Sequence, residues 1–178
     1  RAPGTAAALA LAIVLVALGF RVAGHDWDRR RLLHPDERFL VMTTAAMRIP
    51  ASVAEFLDGT RSPLNPRRAD RPFAYGTLPL SLTRVAVRSD AQPGQHAIVR
   101  TGRAISTAAD LCTLLVLGWL ARRLFATPAA LLAMAFYACA VLPIQHSRFF
   151  VVDPLLTLWA TVSVAGLTAW HQRPRWPV

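Results

Sequence analysis

The chain of 178 residues contains no lysine, few charged residues of any kind and only two cysteines. Charged residues make up 17% of the sequence and hydrophobic residues 54%, more apolar side chain than a soluble domain of this length normally carries. Cys112 and Cys139 both lie in apolar stretches, so neither a disulfide framework nor a zinc site is indicated. Together these shortages favour a membrane protein.

The formal net charge of +10 comes entirely from arginine. Proteins that bind nucleic acid usually gather their basic residues into one patch or stripe. Here the arginines lie between apolar stretches and form no stripe with aromatic residues. We therefore expect no nucleic acid among the partners of this protein.

Apolar stretches predict an all-α, polytopic membrane protein with about four transmembrane helices. They cover approximately residues 6–24, 104–120, 128–144 and 149–170. Each approaches the ~20 residues that cross a hydrocarbon core of ~30 Å. The first stretch is uncharged until Arg21, whose side chain is expected to extend from the end of the span to the headgroups. A cleavable signal peptide is the alternative for this stretch. The chain begins without methionine and ends soon after the fourth stretch, so we interpret residues 1–178 as the N-terminal part of a larger transmembrane domain, expected to be inactive alone.

The arginines of the short connections predict the orientation. Arg122 and Arg123 lie between the second and third stretches, and Arg173 and Arg175 follow the fourth. Positive residues of short loops stay in the cytoplasm, whereas long loops cross the membrane largely regardless of charge. The long loop 25–103 and the short turn 145–148 are therefore predicted to face outward.

The long outer loop is expected to contain interfacial helices. Pro35 suits the first turn of a helix, which the acidic residues after it would also favour. One apolar side of that helix is predicted to lie on the membrane surface, formed by Phe39, Leu40, Met42, Met47 and Ile49. An irregular segment is predicted at residues 62–68, which end in Arg67 and Arg68, and a second interfacial helix at residues 75–87.

The cluster His34-Pro35-Asp36-Glu37-Arg38 is the first candidate site. Two neighbouring carboxylates beside a bilayer can deprotonate a hydroxyl group, or hold a metal ion or a phosphate-linked ligand. We therefore predict Asp36 and Glu37 as catalytic residues. The alternative is that both only stabilise the N-terminus of a helix.

A second candidate site lies at the outer ends of the third and fourth stretches. Arg148 is predicted to bind a lipid-linked phosphate through the planar fork of its guanidinium, together with Asp153 and Arg103. The alternatives are that the arginines contact lipid headgroups and that Asp153 only begins a helix. For Asp110, inside the second stretch, a structural polar contact between helices and a functional role both stay open.

Four motifs occur in an order that resembles one family. They are His34-Pro35-Asp36-Glu37-Arg38-Phe39, Ser62-Pro63-Leu64-Asn65-Pro66, Tyr75-Gly76-Thr77-Leu78-Pro79-Leu80 and Arg148-Phe149-Phe150-Val151-Val152-Asp153. Over nearly the whole chain this pattern is similar to that of bacterial family 39 glycosyltransferases of the GT-C superfamily. These are relatives of the protein O-mannosyltransferases.

The resemblance implies an enzyme of the bacterial cytoplasmic membrane that moves a sugar from a polyprenyl-phosphate carrier to an acceptor protein or glycan outside the membrane. It also implies that Asp36 is the base for the acceptor hydroxyl. Some relatives require a divalent metal and others do not, so a metal cofactor stays open. Two other classes also stay open: a transporter fragment, which predicts polar residues within the membrane and discontinuous helices, and a non-catalytic membrane subunit.

Overall fold

A computed structural model describes residues 3–29, 31–67, 72–87 and 94–172. These residues form α-helices and no strands: α1 (Pro3–Val22), α2 (Pro35–Ala45), α3 (Val53–Leu57), α4 (Leu78–Val87), α5 (Gln95–Leu124), α6 (Thr127–Cys139), α7 (Val141–Ser147) and α8 (Asp153–His171). The predicted all-α membrane class is thereby confirmed. Arg68, Arg173 and Arg175, which the sequence interpretation uses, lie outside the described residues.

Two helices of the described residues are long and apolar enough to cross a membrane, Gly4–Val22 and Gln95–Leu124. A third span results if α6 and α7 are counted together, although their axes differ in direction by 59°. α8 has 19 residues but is not among the helices that pass this test. The predicted fourth span at 149–170 therefore stays a prediction.

The chain divides into two compact units. The helical unit consists of residues 1–23, 107–147 and 153–178, and the loop unit consists of residues 24–106 and 148–152. α5 contributes its first part to the loop unit and the remainder to the helical unit.

The helical unit is built on the packing of α1 against α6 and α7. Small side chains such as Ala17 and Ala138 are buried there together with Leu114 and Met134. Small residues at a contact between membrane helices let the backbones approach closely, which strengthens van der Waals packing.

A proline explains why the third apolar stretch is two helices instead of one. Pro143 has no N–H group, and its ring would clash with the carbonyl group four residues earlier, at Cys139. The helix accordingly ends at Cys139, Ala140 is extended, and α7 begins at Val141. Residues 145–147, which were predicted to form an outer turn, are the last residues of α7.

The loop unit has a hydrophobic core of its own, in which α2 packs against α4. Leu40 and Met47 lie in this core and are 0% and 5% exposed. The prediction that they face the membrane surface is therefore wrong. Phe39, Met42 and Ile49 are exposed, so only these three apolar residues of the predicted set lie on the surface of the unit.

Candidate active site

The start of α2 carries the two candidate carboxylates. His34 caps the helix, since its imidazole Nδ1 accepts a hydrogen bond from the Glu37 backbone N–H at 3.4 Å, and Pro35 occupies the first turn, as predicted. The His34 ring also packs against Phe149, with 4.4 Å between the ring centroids. Asp36 and Glu37 are neighbours in the sequence and therefore point in different directions around the helix.

Glu37 points into the core of the loop unit, where it forms a two-point ion pair with Arg103. The Arg103 Nε–Glu37 Oε1 and Arg103 Nη2–Glu37 Oε2 distances are both 2.7 Å, and both residues are almost completely buried. Glu37 Oε1 also accepts a hydrogen bond from the backbone N–H of Phe150 at 2.8 Å. Glu37 thus ties α2 to α5 and to the segment that follows Arg148.

Asp28 and His25 complete this buried ion network. Arg103 Nη2 donates to Asp28 Oδ2 at 3.1 Å, and Nη1 donates to the His25 carbonyl oxygen at 2.6 Å. Asp28 Oδ2 also accepts from the backbone N–H of Leu32 at 3.0 Å, which holds Leu32 at a φ of 50° that a leucine rarely adopts. All three guanidinium nitrogens of Arg103 therefore already donate to protein acceptors. Its predicted role in donor binding stays a prediction.

Asp36 lies at the edge of a cleft on the loop unit. Its Oδ1 accepts a hydrogen bond from the Tyr75 hydroxyl group at 3.0 Å, and its side chain is half-buried. We call this feature the aromatic cleft; it has a volume of about 600 Å³ and is lined mainly by Pro35, Asp36, Phe39, Pro72, Phe73 and Tyr75. Asp36 can therefore meet a ligand, while Glu37 is enclosed by protein.

Arg148 and Asp153 bracket the segment between α7 and α8. Arg148 is half-buried in the loop unit, where its Nη1 would be 3.7 Å from a Cβ atom placed on Gly24. Gly24 has a φ of 76°, which a glycine adopts without strain. Asp153 is exposed and opens α8 in the helical unit. Their predicted roles toward the donor stay predictions.

Phe150 packs directly against α5 at Gly102. A Cβ atom at Gly102 would overlap the Phe150 ring, which is completely buried. Glycine at this position of α5 therefore lets the ring lie directly on the helix backbone. This contact and the Phe150 N–H bond to Glu37 fix the segment on both sides.

Ionisable groups also line a second cavity of the loop unit, of about 430 Å³, beside the buried ion network. His25, Asp26, His96 and Arg100 contribute to its wall. Burial lowers the pKa of His25 below its ordinary value of 6.5, and the charge of Arg103 acts in the same direction. Within the described part of the chain, no group of three or more His, Cys, Asp or Glu residues is placed to hold a metal ion.

A family comparison bears on this arrangement. The family model of dolichyl-phosphate-mannose-protein mannosyltransferases matches residues 89–177, half of the chain. The chain belongs to this family. The resemblance to mannosyltransferases of the GT-C type is thereby confirmed, and the protein is a multi-pass membrane protein of a family of polyprenyl-phosphate-sugar glycosyltransferases. No significant match was found among curated proteins or among solved structures.

The mannosyltransferase match covers only some of the predicted site residues. Arg103, Arg148 and Asp153 lie within it, whereas Asp36 and Glu37 precede it. The ion network nevertheless connects the two regions, because Glu37 bonds to Arg103 and to the backbone of Phe150. The first half of the loop unit is therefore anchored to residues that the family match includes.

One polar cluster of the helical unit differs from the sequence interpretation. Arg21 was expected to extend from the end of α1 toward the headgroups, but it is completely buried and forms an ion pair with Asp110 of α5. Asp110 Oδ1 accepts a further hydrogen bond from the Tyr137 hydroxyl group at 2.7 Å. The predicted structural contact of Asp110 between helices is therefore confirmed. Its partners, Arg21 and Tyr137, could not be predicted from the sequence around Asp110.

The same arginine satisfies backbone groups at the break between α6 and α7. Arg21 Nη1 donates to the carbonyl oxygen of Ala138 at 3.1 Å, and Nη2 donates to that of Tyr137 at 3.4 Å. Carbonyl groups at a helix end need such partners inside a membrane, where no water can replace them. Arg21 thus compensates for the interruption that Pro143 causes.

Proposed function

We propose that this protein transfers a hexose from a polyprenyl-phosphate carrier to a hydroxyl group of an acceptor protein or glycan. The reaction takes place on the outer side of the bacterial cytoplasmic membrane, with Asp36 as the general base. Family membership supports the reaction class. The positive residues Arg122 and Arg123 in the last turn of α5 support a cytoplasmic position for that end and an outward position for the loop 25–103.

The observation that carries the proposal is that the two carboxylates have different surroundings, since Glu37 is buried and Asp36 borders a cleft. Glu37 is enclosed, with its oxygens bonded to Arg103 and to the Phe150 N–H. Asp36 stands at the aromatic cleft with Oδ1 bonded to Tyr75, and among the described residues no hydrogen bond to its Oδ2 competes with a ligand. General-base catalysis needs a carboxylate that the acceptor hydroxyl can reach, and the buried ion pair orients the helix that carries this carboxylate.

The proposed reaction is a single displacement at the anomeric carbon of the sugar. The acceptor oxygen forms the new bond to this carbon while the bond from the carbon to the phosphate oxygen breaks. Polyprenyl phosphate leaves with the bonding electron pair, and the proton of the acceptor hydroxyl passes to Asp36. A carboxylate can accept this proton because the hydroxyl becomes acidic as its oxygen forms the new bond.

Arg148 is the proposed contact for the carrier phosphate, and the donor-binding roles predicted for Asp153 and Arg103 are retained as proposals. A guanidinium matches two phosphate oxygens through parallel hydrogen bonds, and its charge offsets the negative charge that grows on the leaving phosphate. Arg103, which is held by Glu37 and Asp28, contributes mainly by fixing the protein around the site.

Two features of the helical unit match the transporter alternative, namely the break between α6 and α7 and the buried Arg21–Asp110 pair. In a transporter, the groups at such a break would line a path for the substrate. Here the carbonyl groups of Tyr137 and Ala138 are already bonded to Arg21. The family match and this closed arrangement favour the glycosyltransferase.

The substitution Asp36→Asn tests the proposal in membranes that contain the intact protein. Asparagine keeps an oxygen for the Tyr75 hydroxyl group but cannot accept the proton, so release of polyprenyl phosphate from polyprenyl-phosphate mannose should slow by ~10²–10⁴-fold. Loss of a carboxylate from a helix start costs only ~0.3–1 kcal/mol, so the amount of folded protein should stay near that of the wild type.

Glu55→Gln is the matched control for this experiment. It also removes one carboxylate charge from the loop unit, but at a half-buried position on α3 outside the aromatic cleft, where Glu55 pairs with Arg48. It should leave the transfer rate unchanged. Transfer by the Asp36→Asn protein at the rate of this control would eliminate Asp36 as the base.

A further inference from the structure

The aromatic cleft has a wall of three rings that contact one another. The ring centroids of Phe39 and Phe73 are 6.0 Å apart with nearly parallel planes, and the Tyr75 ring lies 5.9 Å from each of the two. Phe73 is buried behind the wall, whereas Phe39 is 40% exposed and Tyr75 is half-buried. Phe39 and Tyr75 therefore present ring surface to the cleft.

The wall is held in place from behind and from the side. Phe73 belongs to the hydrophobic core of the loop unit, together with Leu40 of α2 and Leu80 of α4. The Phe73 carbonyl oxygen accepts a hydrogen bond from Arg67 Nε at 3.2 Å, and Tyr75 is tied to Asp36. The rings are thus fixed before a ligand arrives, so little conformational entropy is lost on binding.

The charge of the cleft limits the ligands that it can hold. Among the described residues that line it, which exclude residues 68–71, Asp36 carries a negative charge and none carries a positive charge. A phosphate group would be repelled by this carboxylate and would find no cation among these described residues, which favours a position outside the cleft for the phosphate of the donor. The cleft suits a neutral group that has an apolar face for the rings and hydroxyl groups for the carboxylate.

We propose that the aromatic cleft is a subsite for a neutral pyranose ring, which stacks on Phe39 and Tyr75 and donates a hydroxyl hydrogen bond to Asp36 Oδ2. The C–H face of a pyranose supplies the apolar surface, and its equatorial hydroxyl groups supply the donors. Because Tyr75 already occupies Oδ1, it fixes which carboxylate oxygen faces the sugar. The inference rests on the proposed function, in which Asp36 receives the proton of the acceptor. The pyranose is either the sugar of the donor or a sugar of the acceptor.

The test measures binding of methyl α-D-mannopyranoside to the intact protein in lipid nanodiscs by saturation-transfer NMR. Wild-type protein should give a saturable signal. Phe39→Leu keeps an apolar side chain but removes the ring, and it should weaken binding by about tenfold. Met42→Leu is the matched control, because Met42 is an exposed apolar residue one turn further along α2 and outside the cleft, and this change should leave binding unchanged.

Addition of polyprenyl-phosphate mannose distinguishes the two sources of the sugar. If the donor sugar occupies the cleft, the donor should displace the methyl mannoside competitively. If an acceptor sugar occupies it, saturating donor should leave the methyl mannoside bound. Both results support a pyranose subsite.

Absence of a saturable signal with the wild type, or equal binding by the wild type and Phe39→Leu, would overturn this inference. Neither result depends on catalysis. Loss of transfer in Asp36→Asn together with unchanged binding in Phe39→Leu would refute the cleft assignment while retaining Asp36 as the base.

Discussion

Removal of the positive charge from the buried ion network provides a quantitative test of how the loop unit is held together. Arg103→Met keeps much of the side-chain volume but leaves Glu37 and Asp28 without their cation in the core. Breaking a buried ion pair by removing one partner typically costs ~3–5 kcal/mol, because a desolvated charge remains. With ~2–4 °C per kcal/mol for a chain of this size, the melting temperature should fall by roughly 6–20 °C.

The assay is thermal unfolding of the purified protein in detergent, followed by tryptophan fluorescence. Arg48→Met is the matched control, because Arg48 pairs with Glu55 in a contact that leaves 59% of the arginine side chain exposed. Such a surface pair contributes only ~0–1 kcal/mol. The double variant Arg103→Met/Glu37→Leu should unfold at a higher temperature than Arg103→Met, because one of the unpaired carboxylates is then absent. An equal fall for Arg103→Met and Arg48→Met would refute the reasoning.

Two further substitutions test packing in the two units. Gly102→Ala should lower the free energy of unfolding by ~1–3 kcal/mol, because the new methyl group overlaps the Phe150 ring. Gly19→Ala is the control and should not destabilise the protein, because a Cβ atom added there would have no packing partner within 4 Å. Denaturation in detergent measures both variants, and equal stabilities would contradict the close contact. Arg21→Met should lower the melting temperature, because it leaves the buried Asp110 carboxylate without its cation. The double variant Arg21→Met/Asp110→Leu should regain part of this loss, and no recovery would contradict the pairing of Arg21 with Asp110.

The helical class of the protein could be predicted from the sequence because it depends on local properties. Hydrophobic runs of nearly twenty residues and a proline followed by acidic residues determine helices without reference to distant parts of the chain. The start of α2 at Pro35 was predicted for this reason. The break at Ala140 is also a local effect, because it is caused by Pro143. It was not predicted, because the residues on both sides of the break are apolar and the stretch was therefore interpreted as one helix.

The partners of the charged residues could not be predicted, because they are distant in the sequence. Glu37 and Arg103 are 66 residues apart, and Arg21 and Asp110 are 89 residues apart. No periodicity connects such positions, so each residue was interpreted from its own surroundings. For Arg21 this led to a headgroup contact, which is the usual position for an arginine at the end of a span.

The burial of Arg21 has a consequence for the insertion of the protein during synthesis. α1 leaves the ribosome long before Asp110 and Tyr137 have been made, so its arginine first meets the bilayer without a partner. Because Arg21 is the penultimate residue of α1, it can initially remain among the headgroups at little cost. Only when α5 and α6 have entered the membrane can the guanidinium move inward to Asp110 and the carbonyl groups of Tyr137 and Ala138. The final depth of the first span is therefore set by helices that are inserted after it.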